Sequence, residues 1–238
     1  MGAGLDVRHV AETGSTNDDV AALARAGAGE GLWLSAGVQA AGRGRLRRAW
    51  LSPPGNLHAS TLVRLRPGDP AASDLAFVAG IALDAAAAAR TGEDAVRLKW
   101  PNDLMAGHAK LAGMLIEREG DAVVIGIGVN LAHAPPVPDR PVTSLAALTG
   151  AAPDRDAFLH ALAHAFAGWL ARWRAEGFAP VRARWLARAH PVGTPLRVAA
   201  GEGAIDGRFD GLDRSGALRL RLADGALHVM HAGDVFLL

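Results

Sequence analysis

Residues 96–130 read VRLKWPNDLMAGHAKLAGMLIEREGDAVVIGIGVN. Val96–Trp100 and Lys110–Arg118 have the apolar and β-branched content of strands, with Ala106-Gly107-His108 as the turn of a hairpin. Ala122–Asn130 is almost wholly apolar, the pattern of a central strand covered on both faces. Upstream, Val7–Glu12, Leu32–Gln39 and Leu57–Leu65 are further strands. Gly14-Ser15-Thr16-Asn17-Asp18-Asp19 supplies cap chemistry before a helix over Val20–Ala26, and Ser73–Arg90 has the length and alanine content of a buried helix. Downstream, Pro135, Pro136, Pro138 and Pro141 make a rigid connection. Phe158, Leu162, Phe166, Trp169 and Trp173 then fall on one face of a helix over Arg155–Glu176. Arg182–Ala189 continues helically until His190-Pro191. From Val192 the texture changes to short runs, Leu196–Ala199, Ala204–Leu212, Ala217–Leu222, Leu227–Met230 and Val235–Leu238, separated by Gly and Asp turns. The pattern predicts an α+β chain: a mixed β-sheet domain with flanking helices over 1–190, and a small C-terminal β-barrel over 191–238 that must dock on it to be stable.

Composition excludes several classes. Half of the 238 residues are apolar and 21% are charged, which is compatible with a large core and not with disorder. There is no cysteine, hence no disulfide and no thiolate chemistry. A net charge of +1 lacks the basic footprint of a nucleic-acid binder. No apolar run reaches roughly 18 residues, and the N-terminus carries Asp6 and no apolar h-region; the expectation is a cytoplasmic protein without a membrane partner. The nine histidines show no HxH or HExxH spacing, so a protein-built metal site is not expected. One scarcity stands out. Among 25 Lys and Arg residues only Lys99 and Lys110 are lysine, Gln39 is the sole glutamine, and Asn17, Asn56, Asn102 and Asn130 are the only asparagines. Residues retained in a chain so rich in Ala, Gly and Arg are candidates for chemistry those three cannot do.

Four segments carry such chemistry. Gly14-Ser15-Thr16-Asn17 offers hydroxyls and an amide, although a capped helix start explains it equally well. QAAGRGRLRRAW, residues 39–50, puts four arginines on a glycine-rich loop, a strip of forked, permanently charged donors suited to phosphate or carboxylate; the alternative is a solvated basic loop. Lys99-Trp100-Pro101-Asn102-Asp103 places polar groups at the mouth of a strand, where Lys99 either meets a ligand or pairs with a carboxylate for structure. Lys110–Glu117, KLAGMLIE, starts an apolar strand with a lysine and leaves Gly113 without a side chain, where a pocket can open. Gly126 and Gly128 mark close packing, ligand approach or a bulge.

In this order, STN, QxxGRGR…W, KWPND, KLAG and GIGVN resemble the motifs of the biotin protein ligases, the biotin–[biotin carboxyl carrier protein] ligases, from Ser15 to Asn130. The resemblance implies the class II synthetase-like biotin/lipoate ligase fold with an SH3-like C-terminal barrel. It implies an ATP-dependent enzyme, with Mg²⁺ on the phosphates, that forms biotinyl-5′-AMP and passes biotin to a lysine of a biotin carboxyl carrier protein. With its first strand at Val7, the chain resembles the monofunctional type without the N-terminal DNA-binding domain. Homodimers through the catalytic sheet are frequent in the family. Carried over by motif, Ser15, Thr16, Asn17, Gln39, Gly42, Arg43, Gly44, Arg45, Lys110, Gly113 and Met114 bind biotin. Arg45, Arg48, Trp50, Asn102, Lys110 and Asn130 bind ATP, Asn130 alternatively capping a strand end. Lys110, Arg45 and Arg48 neutralise the reacting anions, and Asp103 lies near the acceptor lysine as orienter or proton acceptor. The resemblance assigns no metal ligand. One departure is plain: the family loop reads GRGRxGRxW, and Arg47 stands at its third glycine. If that position needs φ > 0, Arg47 is strained. The competing readings are a non-catalytic biotin or nucleotide sensor disabled by Arg47, and a lipoate ligase or acyltransferase relative, whose kind lacks the GRGR and KWPND motifs.

Overall fold

A computed structural model describes residues 5–137, 140–200 and 203–238; Pro138 of the proline-rich connection lies outside the described residues. The chain runs β1 (Asp6–Thr13), α1 (Thr16–Arg25), β2 (Leu32–Gln39), β3 (Leu57–Arg64), α2 (Leu75–Thr91), β4 (Arg97–Lys99), β5 (Asp103–Ala106), β6 (Ala109–Glu119), β7 (Ala122–Val129), α3 (Leu145–Thr149), α4 (Arg155–Glu176) and α5 (Phe178–Arg188). Five strands follow, β8 (Pro195–Ala200), β9 (Gly203–Leu212), β10 (Leu218–Arg221), β11 (Leu227–Met230) and β12 (Asp234–Leu237). The first seven strands form one mixed sheet, β1-β2-β3-β7-β6-β5-β4, in which only β1 and β2 run parallel. β7 is its middle strand, as its apolar sequence requires.

Strand alternation sorts the side chains onto two faces. One face packs Ala59, Ile125, Ile127 and Val129 against α2 and α4 in the main core. The other is covered only at one end, where Val20 and Ala24 of α1 sit on Leu32, Leu34, Leu62 and Val124. On the remainder of that face Gly113 pairs with Gly128 and Ser60 with Gly126, so the backbone lies bare there. Ala72–Thr91, around α2, is long and apolar enough to cross a bilayer, but most of it is buried within the fold. Asp84, inside it, is gripped by Arg188 of α5 at 2.7 and 3.0 Å, an arrangement of a core helix.

Two elements differ from the sequence reading. Val96–Trp100 does not pair with Lys110–Arg118; β5 lies between them, Leu98 opposite Leu104 and Leu104 opposite Ala112. β5 has too few residues to show a period of its own. α3, with five residues, is too short to show a helical period, although Ser144 caps its start by accepting from the Ala147 amide and Gly150 ends it in the left-handed region.

The last five strands form an antiparallel sheet, β11-β10-β9-β8-β12, whose Val198, Phe209, Leu218 and Val235 belong to the same core as α2. The Trp100 indole donates to the Gly216 carbonyl at 3.1 Å, and Phe77 meets Phe178 and Trp185 edge-on. At this junction His190 is half-buried with Nε2 unpartnered among the described residues. Burial, then the charges of Lys99, Arg97 and His108, hold its pKa down to about 4. The unfolded chain therefore takes up a proton below about pH 6.5 that the native state refuses, so the stabilising contribution is complete above that pH and declines toward pH 4. His190→Gln is expected to flatten this loss, read as urea midpoints near pH 7 and near pH 4.5. Equal losses in variant and parent would contradict the assignment.

Candidate active site

A cavity of about 620 Å³ opens on the bare half of the sheet, under the 40–51 loop and beside β12. At one end its wall is neutral and polar. Ser15 is the N-cap of α1 by backbone conformation, but its side chain makes no cap bond, and Thr16 and Asn17 also turn their side chains to the cavity. Gln39 Oε1 accepts from the Thr16 backbone amide and hydroxyl at 2.9 and 3.0 Å. Ser60 Oγ lies 2.7 Å from Thr16 Oγ1 and donates to Asn17 Oδ1 at 2.6 Å. Asn17 Nδ2 donates to Glu117 at 2.7 Å. Arg43 closes this end from outside, its two terminal nitrogens on Asp18 at 2.5 and 2.6 Å, with Glu117 at 3.1 Å. The Asp18 hydrogen bonds hold the guanidinium further into its charged form than usual.

The middle is floored by glycine. A Cβ on Gly126 would overlap the Asn17 amide and one on Gly128 the Trp50 ring, while one on Gly113 would stand 3.3 Å from that ring and 2.8 Å from Lys110 Nζ. Trp50 therefore lies on the sheet because these positions have no side chains. Its Nε1 is buried without an acceptor among the described residues. Met114 contributes backbone only: its side chain reaches Gly80 of α2, and its carbonyl accepts from Asn102 Nδ2 at 2.6 Å. Gly42 stands behind the wall, packed against Gln39, Ser52 and the Trp50 carbonyl.

The far end is cationic. Asp103, almost fully buried, lies between two ammonium groups, Lys110 Nζ at 2.5 Å and Lys99 Nζ at 2.9 Å. Burial pushes its carboxyl up, but Lys110 and Lys99 outweigh that and hold it at about 2. Burial in turn lowers Lys99, against the pull of Asp103. Lys99 also donates to the Val235 carbonyl of β12 at 2.7 Å. Arg45 Nη1 donates at 3.3 Å both to Asn102 Oδ1 and to the Gly233 carbonyl, and Arg48 pairs with Asp234, which Arg140 approaches at 3.7 Å. Asn130 ties the end of β7 to the Thr143 carbonyl at 3.0 Å while still lining the cavity.

The arginine loop turns on a short 3₁₀ segment, Arg45–Arg47, in which Leu46 and Arg47 both have φ of 56°. The position where the motif has glycine is thus left-handed here, and Arg47 carries a backbone strain of about 1–2 kcal/mol that glycine would not. Every other residue expected at the site reaches this cavity except Gly42. Sequence reading missed Ser60, Asp18 and Glu117, which buttress the polar end, and Arg140, Asp234, Val235 and Phe236. The last three arrive from a strand more than a hundred residues away, and only the docking of the C-terminal sheet brings them in. Among the described residues no group of three or more His, Cys, Asp or Glu side chains is placed to hold a metal ion. Gly128→Ala is expected to lift Trp50 off the floor, read as greater acrylamide quenching than in the parent, with Trp50→Phe as the control that removes the difference. Unchanged quenching would show that the ring does not rest there.

Comparison with known proteins agrees with this geometry. The model of the biotin/lipoate A/B protein ligase family matches residues 16–130, and that of the biotin protein ligase C-terminal domain matches residues 193–238. The biotin–[acetyl-CoA-carboxylase] ligase of Paracoccus denitrificans is 42% identical over 95% of this chain and 98% of its own length. The bifunctional ligase/repressor BirA of Escherichia coli is 36% identical over 84% of this chain, which spans 64% of that longer protein. Among solved structures, the Aquifex aeolicus biotin protein ligase in complex with biotin and ATP superposes with a TM-score of 0.86 at 26% identity, covering 98% of this chain and 99% of that one. The Leishmania major biotin protein ligase in complex with biotinyl-5-AMP does so with a TM-score of 0.65 at 28% identity, over 97% and 100%. By whole-length identity, by both family models and by fold, this chain belongs to the biotin protein ligase family.

Proposed function

We propose that the chain activates biotin with ATP to biotinyl-5′-AMP and transfers biotin to a lysine of a biotin carboxyl carrier protein, with 1–190 as the catalytic domain and 191–238 as the C-terminal domain. The observation that carries the reading is one cavity with a neutral hydrogen-bonding wall at one end, a glycine floor, and a cationic cluster at the other. A ureido ring has one carbonyl acceptor and two N–H donors, which match Ser15, Thr16, Asn17 and Gln39. Because those groups are cross-bonded, they hold fixed orientations that suit the ring's carbonyl and N–H groups and not an analogue without them. The valeryl chain runs along β6 near Gly113 and Leu115, beside the Trp50 ring, whose free Nε1 offers a further donor.

The first step brings the biotin carboxylate oxygen onto the α-phosphorus of ATP, and pyrophosphate leaves. Anion approaches anion, so Lys110, Arg45 and Arg48 neutralise the approach and the charge that builds on phosphorus. Magnesium enters as the counter-ion of the substrate triphosphate. Asn102, braced between Arg45 and the Met114 carbonyl, and Asn130 face the nucleotide. In the second step the carrier's lysine nitrogen attacks the anhydride carbonyl and AMP departs. Of the two roles expected for Asp103, orientation fits better: a carboxyl held at about 2 is too weak a base to take the ammonium proton, which passes to solvent before the neutral amine attacks. The reaction is assigned to the cytoplasm, where ATP is available.

Incubation with ATP, Mg²⁺ and labelled biotin is expected to yield biotinyl-5′-AMP, and Lys110→Ala to lower its formation about a hundredfold or more with the fold intact by circular dichroism. Tight biotin binding without adenylate would leave the chain a sensor and overturn the proposal. Arg45→Ala should speed loss of the adenylate from the enzyme; an unchanged dissociation rate would refute the contact of Arg45 with it.

A further inference from the structure

Lys99 is one of two lysines in a chain that otherwise uses arginine, and its side chain is only 9% exposed. Its ammonium is committed to two fixed acceptors, Asp103 Oδ2 at 2.9 Å and the Val235 carbonyl at 2.7 Å. Asp103 meets Lys110 through its other oxygen, and Lys110 is the more exposed of the two cations, at 21%. One buried carboxylate is thus served by two ammonium groups, and the trio carries one positive charge in excess.

We infer that Lys99 is a positioning residue: it serves as the standing counter-ion of Asp103, anchored to the C-terminal sheet, and so leaves the charge of Lys110 free for the substrate anions. The inference rests on the proposed function and adds to it a reason for the second lysine. With Lys110 as the sole counter-ion, the pair would be neutral, and drawing Lys110 toward an anion would strand a buried carboxylate. With Lys99 fixed in place, Lys110 can turn to the phosphate or carboxylate while Asp103 stays paired. An ammonium, a compact point charge, sits between a carboxylate oxygen and a carbonyl where a planar guanidinium would need a wider space. The Val235 carbonyl adds a coupling: Gly233 and Asp234, which hold Arg45 and Arg48, precede it directly, so docking of one strand end sets both cationic groups.

The test is a double-mutant cycle in the full chain, reading biotinyl-5′-AMP formation with its KM for ATP and kcat separated. Lys99→Met is expected to raise the KM for ATP about tenfold. Adding Asp103→Asn to Lys99→Met removes the carboxylate that had captured Lys110, and is expected to return the KM to within about threefold of the parent. Should Lys99→Met lower the melting temperature, Lys99→Gln keeps a donor without the charge and is expected to show the same KM increase with normal melting. An unchanged KM in the Lys99 variants, or a double variant as impaired as Lys99→Met or worse, would overturn the inference. A parent protein that makes no adenylate would instead overturn the proposed function, so the two failures are distinguishable.

Discussion

The ion cluster of Lys99, Asp103 and Lys110 is the interaction on which the cavity's cationic end depends. A carboxylate this deeply buried is tolerable only with opposite charge against it, and here two lysines from different strands supply that charge. Each partner ties in a further element. Lys99 reaches the Val235 carbonyl and so the C-terminal sheet, while Lys110 lies 5.5 Å from the centre of the Trp50 ring and so adjoins the arginine loop. The neighbouring residues Gly233 and Asp234 hold Arg45 and Arg48, so loop, sheet and cluster meet within one stretch of backbone.

The opposite end obeys a different constraint. Its lining groups Thr16, Gln39, Ser60 and Asn17 are neutral and are already hydrogen-bonded to one another, which fixes their orientation in advance. The two ends are kept apart by a floor with no side chains. Glycine at 126 and 128 is a steric requirement, because a Cβ would collide with Asn17 or Trp50, while one at 113 would crowd the Lys110 ammonium and the edge of the Trp50 ring. A polar recognition end and an anion-stabilising end on one bare sheet surface suit a reaction that must hold an uncharged ring while it joins two anions.

Much of this was legible in the sequence for reasons that can be named. The bare floor showed as glycines inside apolar strands, and the cationic groups as lysines retained where arginine is the rule. The missing glycine raises the question of left-handed geometry at Arg47, and φ there is 56°. Asn56, the one scarce amide outside the motifs, is fully buried and bonds the backbone of Ala132 and His133 through both ends of its amide, a task neither Ala nor Arg can perform. What stayed hidden depends on long-range packing. Met114 lies in a site motif yet turns its side chain to α2, because strand alternation assigns it to the other face. Asp234 reads as an ordinary turn residue until the C-terminal sheet docks and sets it against Arg48.

The division of the cavity into a ring end and an anion end is tested most directly by a crystal structure of the chain with biotinyl-5′-AMP. The account predicts the ureido group against Thr16, Asn17 and Gln39, the phosphate against Lys110 and Arg45, and Asp103 still bonded to Lys99. A ligand bound the other way round, or a phosphate that touches neither Lys110 nor Arg45, would contradict it.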